Sequence, residues 1–213
     1  MAVSPAPTEY PISLTVDAAE GDRNRVTCAF RLFLAIPILV LAGTVGGGTY
    51  ALAGNDGRAT VSAAGGILVG GPALMILFRE KYPRWWFDWN VSLLRFLNRV
   101  GAYLFMLRDE YPSTDEEQAV HLDVPYPDAR ADLNRWLPLV KWFLAIPHYV
   151  VLVFVGIGVF FALIAAWFAV VITGRYPSGI RDFVVGAMRW HNRVTAYAFI
   201  LATDRYPPFR LAP

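Results

Sequence analysis

The chain has 213 residues, of which 56% are hydrophobic, 15% aromatic and only 17% charged, with a net charge of +2. This is too apolar for an ordinary globular surface, and the basic residues are too few and too scattered for nucleic-acid binding. The single cysteine, Cys28, excludes an intramolecular disulfide.

The first 25 residues carry acids, prolines and arginines in place of a short apolar core with a cleavage site. No removable signal peptide is expected, and the N-terminus is expected to stay cytosolic. "YPISLTVD" at 10–17 alternates polar and apolar residues and predicts a short β-strand. An apolar run follows, in which Cys28 reads as a small packing residue rather than a nucleophile. The polar "GNDGR" at 54–58 suggests a turn, which predicts a transmembrane helical hairpin with spans at about 26–53 and 60–78.

The segment 84–107 predicts an amphipathic helix. Spacings of seven and four put Asp88, Arg95 and Arg99 on one face with Asn98 beside them, and the Trp-rich start "RWWFDW" suits the membrane interface. A second short strand is expected in "AVHLDVPYP" near 119–127. Beyond it, 142–172 contains no charged residue unless His148 is protonated. One helix over that run would measure about 46 Å, against roughly 30 Å for a hydrocarbon core. A turn near "GIG" at 156–158 would give spans of about 136–155 and 157–173; the alternative is one long helix kinked at Pro147. A further amphipathic helix, 178–201, carries Asp182, Arg189, Asn192 and Arg193 on its polar stripe.

The halves match each other. "NRVTCAFRLFLAIPILVL" from Asn24 aligns with "NRWLPLVKWFLAIPHYVV" from Asn134 at an offset of 110, and "EKYPRWWFDWNVSLLRFLNRVGAYLFML" from Glu80 aligns with the segment from Gly174 at 94. Each half closes on Asp-x-Tyr-Pro, at Asp109 and Asp204. Two tandem repeats are therefore expected, 1–112 and 113–213. Tyr-Pro pairs at Tyr10, Tyr82, Tyr111, Tyr126, Tyr176 and Tyr206 read as element boundaries. Only Arg58 of the 19 Lys and Arg lies in a loop between paired helices, so both termini are expected in the cytosol and the repeats parallel. The expected fold is an all-α, multi-pass protein of the cytoplasmic membrane, each repeat comprising a short strand, a helical hairpin and an interfacial amphipathic helix.

"WLPLVKWFLAIPHYVVL", "WFAVVITGRYPSGIRDFVVGAMRW" and "RVTAYAFILATDRYPPF" together resemble the bacterial membrane-protein family catalogued as domain of unknown function 4389, common in actinobacteria. The resemblance covers about 120–209 closely and 10–112 more loosely. It implies membrane location and this architecture, and it supplies no reaction or cofactor.

No spacing of His121, His148 and His191 suits a metal, and there is no phosphate loop, dinucleotide fingerprint or nucleophile elbow, so no cofactor is expected and enzyme is the weakest class. Arg95, Arg99, Arg189 and Arg193 either snorkel and pair with Asp88 and Asp182, or form a cradle for lipid phosphates. His148 is matched by Ile38, and it either bonds a carbonyl freed by Pro147 or forms a proton or ligand site. The expected role is non-enzymatic: a self-associating or accessory subunit that uses small-residue helix faces and open strand edges. The alternative is a lipid-binding or conducting protein with arginine-lined sites. Lipids and a homo-oligomer or larger membrane complex are the expected partners.

Overall fold

The computed structural model describes residues 10–18, 21–47, 50–53, 59–62 and 66–213. The first half contains β1 (Ser13–Val16), α1 (Arg25–Ala29), α2 (Arg31–Leu34), α3 (Ile36–Val45), β2 (Tyr50–Ala53), β3 (Ala59–Ser62), α4 (Gly70–Arg79) and α5 (Arg84–Leu104). The second contains β4 (Val120–Asp123), a 3-10 turn (Leu137–Leu139), α6 (Lys141–Leu144), α7 (Ile146–Thr173), α8 (Ser178–Thr195) and a π-helical turn (Ala196–Ile200).

Helix stops at Ala35 and again at Ala145, each just before an Ile-Pro pair, so Pro37 and Pro147 fall in the first turn of α3 and of α7. In a first turn the missing N–H has no helical partner to lose, and proline starts the helix instead of bending it. From there α7 runs unbroken for 28 residues. The hairpin turn expected near 156–158 is absent. Gly158 lies inside the helix, where a Cβ would come within 3.3 Å of Phe183 Cζ on α8, so the glycine permits close packing and makes no turn.

In the first half the same path is interrupted. α3 and α4 occupy the places matched by the start and end of α7, and the extra residues between them include an antiparallel β2–β3 hairpin, with Tyr50 opposite Ser62 and Ala53 opposite Ala59. Gly66 N donates to the Val45 carbonyl at 2.7 Å, so the chain rejoins where it left. The expected turn at 54–58 lies outside the described residues. α3 and α4 have 10 residues each. A helix of that length spans only about 15 Å, whereas α7 reaches about 42 Å against a hydrocarbon core of roughly 30 Å. The four expected spans do not appear as four separate long helices, and among the described residues one helix, α7, is long and apolar enough to cross a membrane.

α7 ends on Gly174, whose φ of +76° suits glycine, and a Cβ there would sit 3.2 Å from Arg25 Nε. Gly174→Ala is expected to cost about 1–2 kcal/mol. In detergent this should appear as a fall in Tm of roughly 2–8 °C.

The elements stack in three layers. β1 pairs antiparallel with β4, with Leu14 opposite Leu122 and Val16 opposite Val120. The buried face of this ribbon packs on Phe87, Val91 and Leu94 of α5 and on Val184, Val185 and Met188 of α8. On the far side α3 covers α5 through Ile38 and Ala42 against Leu93, Phe96 and Val100. α7 covers α8 and the π-helical turn after it through Tyr149, Leu152 and Val155, against Trp190 and Val194 of α8 and Tyr197 of the turn. The two amphipathic helices expected at the interface are therefore a middle layer, covered on both sides, because the chain's own strands take up their polar stripe.

The outer layer is bare. Phe33 is 71% exposed, Phe78 71%, Phe154 69% and Ile172 69%, and the most apolar stretch of α7 is only 6% buried. A core helix of a soluble protein would be covered.

Candidate functional site

Each half buries a cation on one of its first short helices. The sequence places Arg31 and Lys141 at matched positions in apolar segments, and the short helices α2 and α6 turn both inward, where both are buried. Arg31 pairs with Asp109, and its Nη1 donates to the carbonyls of Tyr103 at 2.8 Å and Arg108 at 2.7 Å. Its guanidinium lies 4.5 Å from the centre of the Tyr103 ring. Lys141 Nζ lies 2.7 Å from Asp204 Oδ1, donates to the Thr203 carbonyl at 2.7 Å, and sits 5.1 Å from the Tyr197 ring centre. Burial pushes the Lys141 pKa down, and Asp204 opposes that shift. The backbone N–H of Asn24 donates to Asp109, and that of Asn134 donates to Asp204. Matched residues make matched contacts, and each cluster ties the first helices of its half to the segment that closes it.

One residue of slippage had to be absorbed for this match. Between Ala196 and Asp204 the chain is one residue longer than between Ala102 and Asp109. The π-helical turn takes up the extra residue, and both segments then end in a left-handed residue, Met106 at φ +58° and Leu201 at +61°.

The expected arginine stripe is turned inward. Asn98 and Asn192 donate to each other's side-chain oxygens at 2.8 and 2.7 Å, and each also donates to a carbonyl of its own helix, Leu94 or Met188. Arg95 Nε donates to the Leu122 carbonyl at 2.9 Å, and Arg189 Nε to the Leu14 carbonyl at 2.8 Å. Arg181 holds the Val16 carbonyl. Outward carbonyls on both strands are thus taken, so the ribbon edges expected to be open are partly blocked by side chains rising from the helices beneath. Arg99 bonds the Ser113 carbonyl, and Arg193 those of Arg210 and Ala212.

Neither aspartate meets these four arginines: Asp88 pairs with Arg84 at 3.3 Å, and Asp182 lies 3.6 Å from Arg181. The arginines do not share one cradle. Arg95 and Arg99 line a cleft with Asp115, Glu117 and Asp123, whose carboxylates repel an anion, while Arg189 and Arg193 line a separate cavity of about 80 Å³ beside Pro213. The sequence spacing correctly grouped residues along each helix but carried no sign of what would cover them.

His148 is buried, and the one hydrogen bond resolved for its ring is to a side chain and not to a carbonyl of the helical path that Pro147 interrupts. Its Nδ1 accepts from Trp190 Nε1–H at 3.0 Å, and its ring stacks on Phe209 at 3.9 Å and 15°. Because an indole N–H only donates, the imidazole that accepts it is neutral with its proton on Nε2. The nearby Leu144 carbonyl is taken by the Tyr206 hydroxyl at 3.1 Å. At the matched position Ile38 packs with Phe96, the match of Trp190. One half fills this place with an apolar pair, the other with a hydrogen-bonded pair that docks the C-terminal segment.

Helical spacing does not mark Arg31 and Lys141, and the sequence marks Asp109 and Asp204 only as the close of each half. Their signal was a basic residue at the same place in both apolar runs, with an aspartate at the close of both halves. Among the described residues no three His, Cys, Asp or Glu side chains converge to hold a metal.

Residues 136–210 match the family model described as a domain of unknown function (DUF4389). That span contains Lys141, His148, Trp190, Asn192 and Asp204. No curated protein and no solved structure matches the chain.

Proposed function

We propose that this chain is a non-enzymatic protein of the cytoplasmic membrane, built from two tandem repeats, that acts as a self-associating or accessory scaffold. The observation that carries this reading is the bare outer layer, above all α7, whose apolar residues are almost wholly uncovered. Lipid or another apolar surface has to replace water there, since patches of a few hundred Å² already mark interaction sites on soluble proteins. The layering favours a seat by one face: α3, α4 and α7 in lipid, the β1–β4 ribbon in water. The matched cation sites and the reciprocal Asn98–Asn192 pair support the repeat reading.

Both described ends of the chain lie together, with the Tyr10 hydroxyl donating to the Arg205 carbonyl at 3.0 Å and Arg193 holding Ala212. They therefore share one side, which we take as cytosolic from the placement of Lys and Arg. Most interior polar groups described above are engaged with carbonyls, partner charges or one another, which fits a structural role, and the His148 Nε2–H is an exception without a hydrogen-bond partner among the described residues. With several ribbon carbonyls capped, association is expected through the exposed helix faces in the membrane.

The test is extraction. The protein is expected to stay with membranes after an alkaline wash, to need detergent for release, and to give a native mass above the 23.7 kDa of one chain. Release without detergent would remove the membrane seat, and a detergent-extracted monomer would remove self-association and stable partnership.

A further inference from the structure

Between the middle layer and the outer helices lies a crevice of about 580 Å³. Sites that take small organic molecules run from ~300 to ~1,000 Å³. α5 and α8 form its walls, α7 contributes Leu152, Val155 and Gly156, and Ile67, on the approach to α4, closes it. Matched positions face the same space: Leu94 and Met188, Asn98 and Asn192, Phe105 and Phe199. The asparagines offer it no free N–H, since their amides are used on each other and on Leu94 and Met188.

Two matched pairs break this likeness. Leu97 is matched by His191 and Gly101 by Thr195, and all four line the crevice. His191 and Thr195 are four residues apart, so they lie one above the other on α8. His191 is exposed, and among the described residues none hydrogen-bonds its ring. Apolar walls with a small polar pair on one side are the composition of a site for an amphiphile.

The geometry points to a binding site for one acyl chain, lying against Leu97, Phe105, Leu152 and Val155, whose carbonyl or carboxyl oxygen accepts a hydrogen bond from His191. The occupant follows from position: beside Leu152 and Gly156 stand the exposed Val151, Val153 and Phe154 of α7, so the crevice adjoins the face proposed to sit among acyl chains. The inference rests on that seating only for the supply of lipid. A free fatty acid and the acyl ester of a phospholipid share this chemistry, and the mass of the bound species separates them.

The test uses the full chain in mild detergent, with native mass spectrometry and a photoreactive palmitate as probe. A Cβ at Gly156 would meet nothing within 4 Å, and one at Gly101 only Met188 Cε at 3.7 Å and Phe105 Cε2 at 3.8 Å. Gly156→Leu and Gly101→Leu therefore fill the crevice without main-chain clash, and leucine is the better helix former. The wild type is expected to carry one acyl species per chain, and both filled variants to lose it and the labelling. His191→Leu, which installs the matched residue, is expected to weaken palmitate binding about tenfold, the loss of one hydrogen bond, and to leave a photoreactive alkane unaffected. Equal labelling of wild type and filled variants would overturn the site. A protein that proves soluble yet loses its acyl species only in the filled variants would uphold it while removing the membrane seat.

Discussion

Lys141→Met is expected to lower stability by about 3–5 kcal/mol, the cost of leaving one partner of a buried ion pair without its counter-charge. Asp204, whose side chain is 20% exposed, would keep the Asn134 N–H as its one hydrogen-bond donor among the described residues, and the Thr203 carbonyl would lose the Lys141 donor. For a domain of this size the fall in Tm is roughly 6–20 °C. Lys141→Met/Asp204→Leu should recover a large part of the loss, since apolar groups of similar volume often replace a buried pair without net cost. Thermal unfolding in detergent decides the matter: a drop below about 1 kcal/mol, the range of exposed pairs, would show that the cation is solvated.

The second large effect is expected at His148. His148→Ile alone strands the Trp190 N–H in the interior and removes the ring stacked on Phe209, at about 2–3 kcal/mol. Trp190→Phe alone strands the imidazole nitrogen at a similar cost. The double variant His148→Ile/Trp190→Phe installs the pair that the first half already uses, Ile38 with Phe96, and should cost clearly less than the sum. A coupling of about 1–3 kcal/mol is expected across the four proteins. Additive losses would show that the two rings act independently and that the matched pairs are not alternative solutions to one packing problem.

The places where the fold departs from expectation have specific physical causes. Gly156 and Gly158 look like a turn in sequence, yet glycine also serves where another helix comes close, as Phe183 does at Gly158. The insertion in the first half marks a break in the helical path, but whether a helical hairpin or a β-hairpin fills it depends on segments with weak periodicity. Arg95, Arg99, Arg189 and Arg193 sit on the helix faces that their spacing implies. What they touch is set by β1, β4 and the C-terminal segment, and Arg189 reaches a carbonyl 175 residues away in sequence.

Sequence by itself determined that a proline stands at the same place in both apolar runs, Pro37 and Pro147, although the expected spans ran through both, and which segments form the two amphipathic helices. It also determined the excess of apolar surface, which composition carries directly. Those properties are local, written in proline chemistry and helical period. Only the tertiary structure decided that the polar stripes face inward, that Arg31 meets Asp109 and Lys141 meets Asp204, and that a crevice remains between the layers. Each of these depends on contacts between distant segments, and a residue's own neighbours in sequence do not show what will cover it.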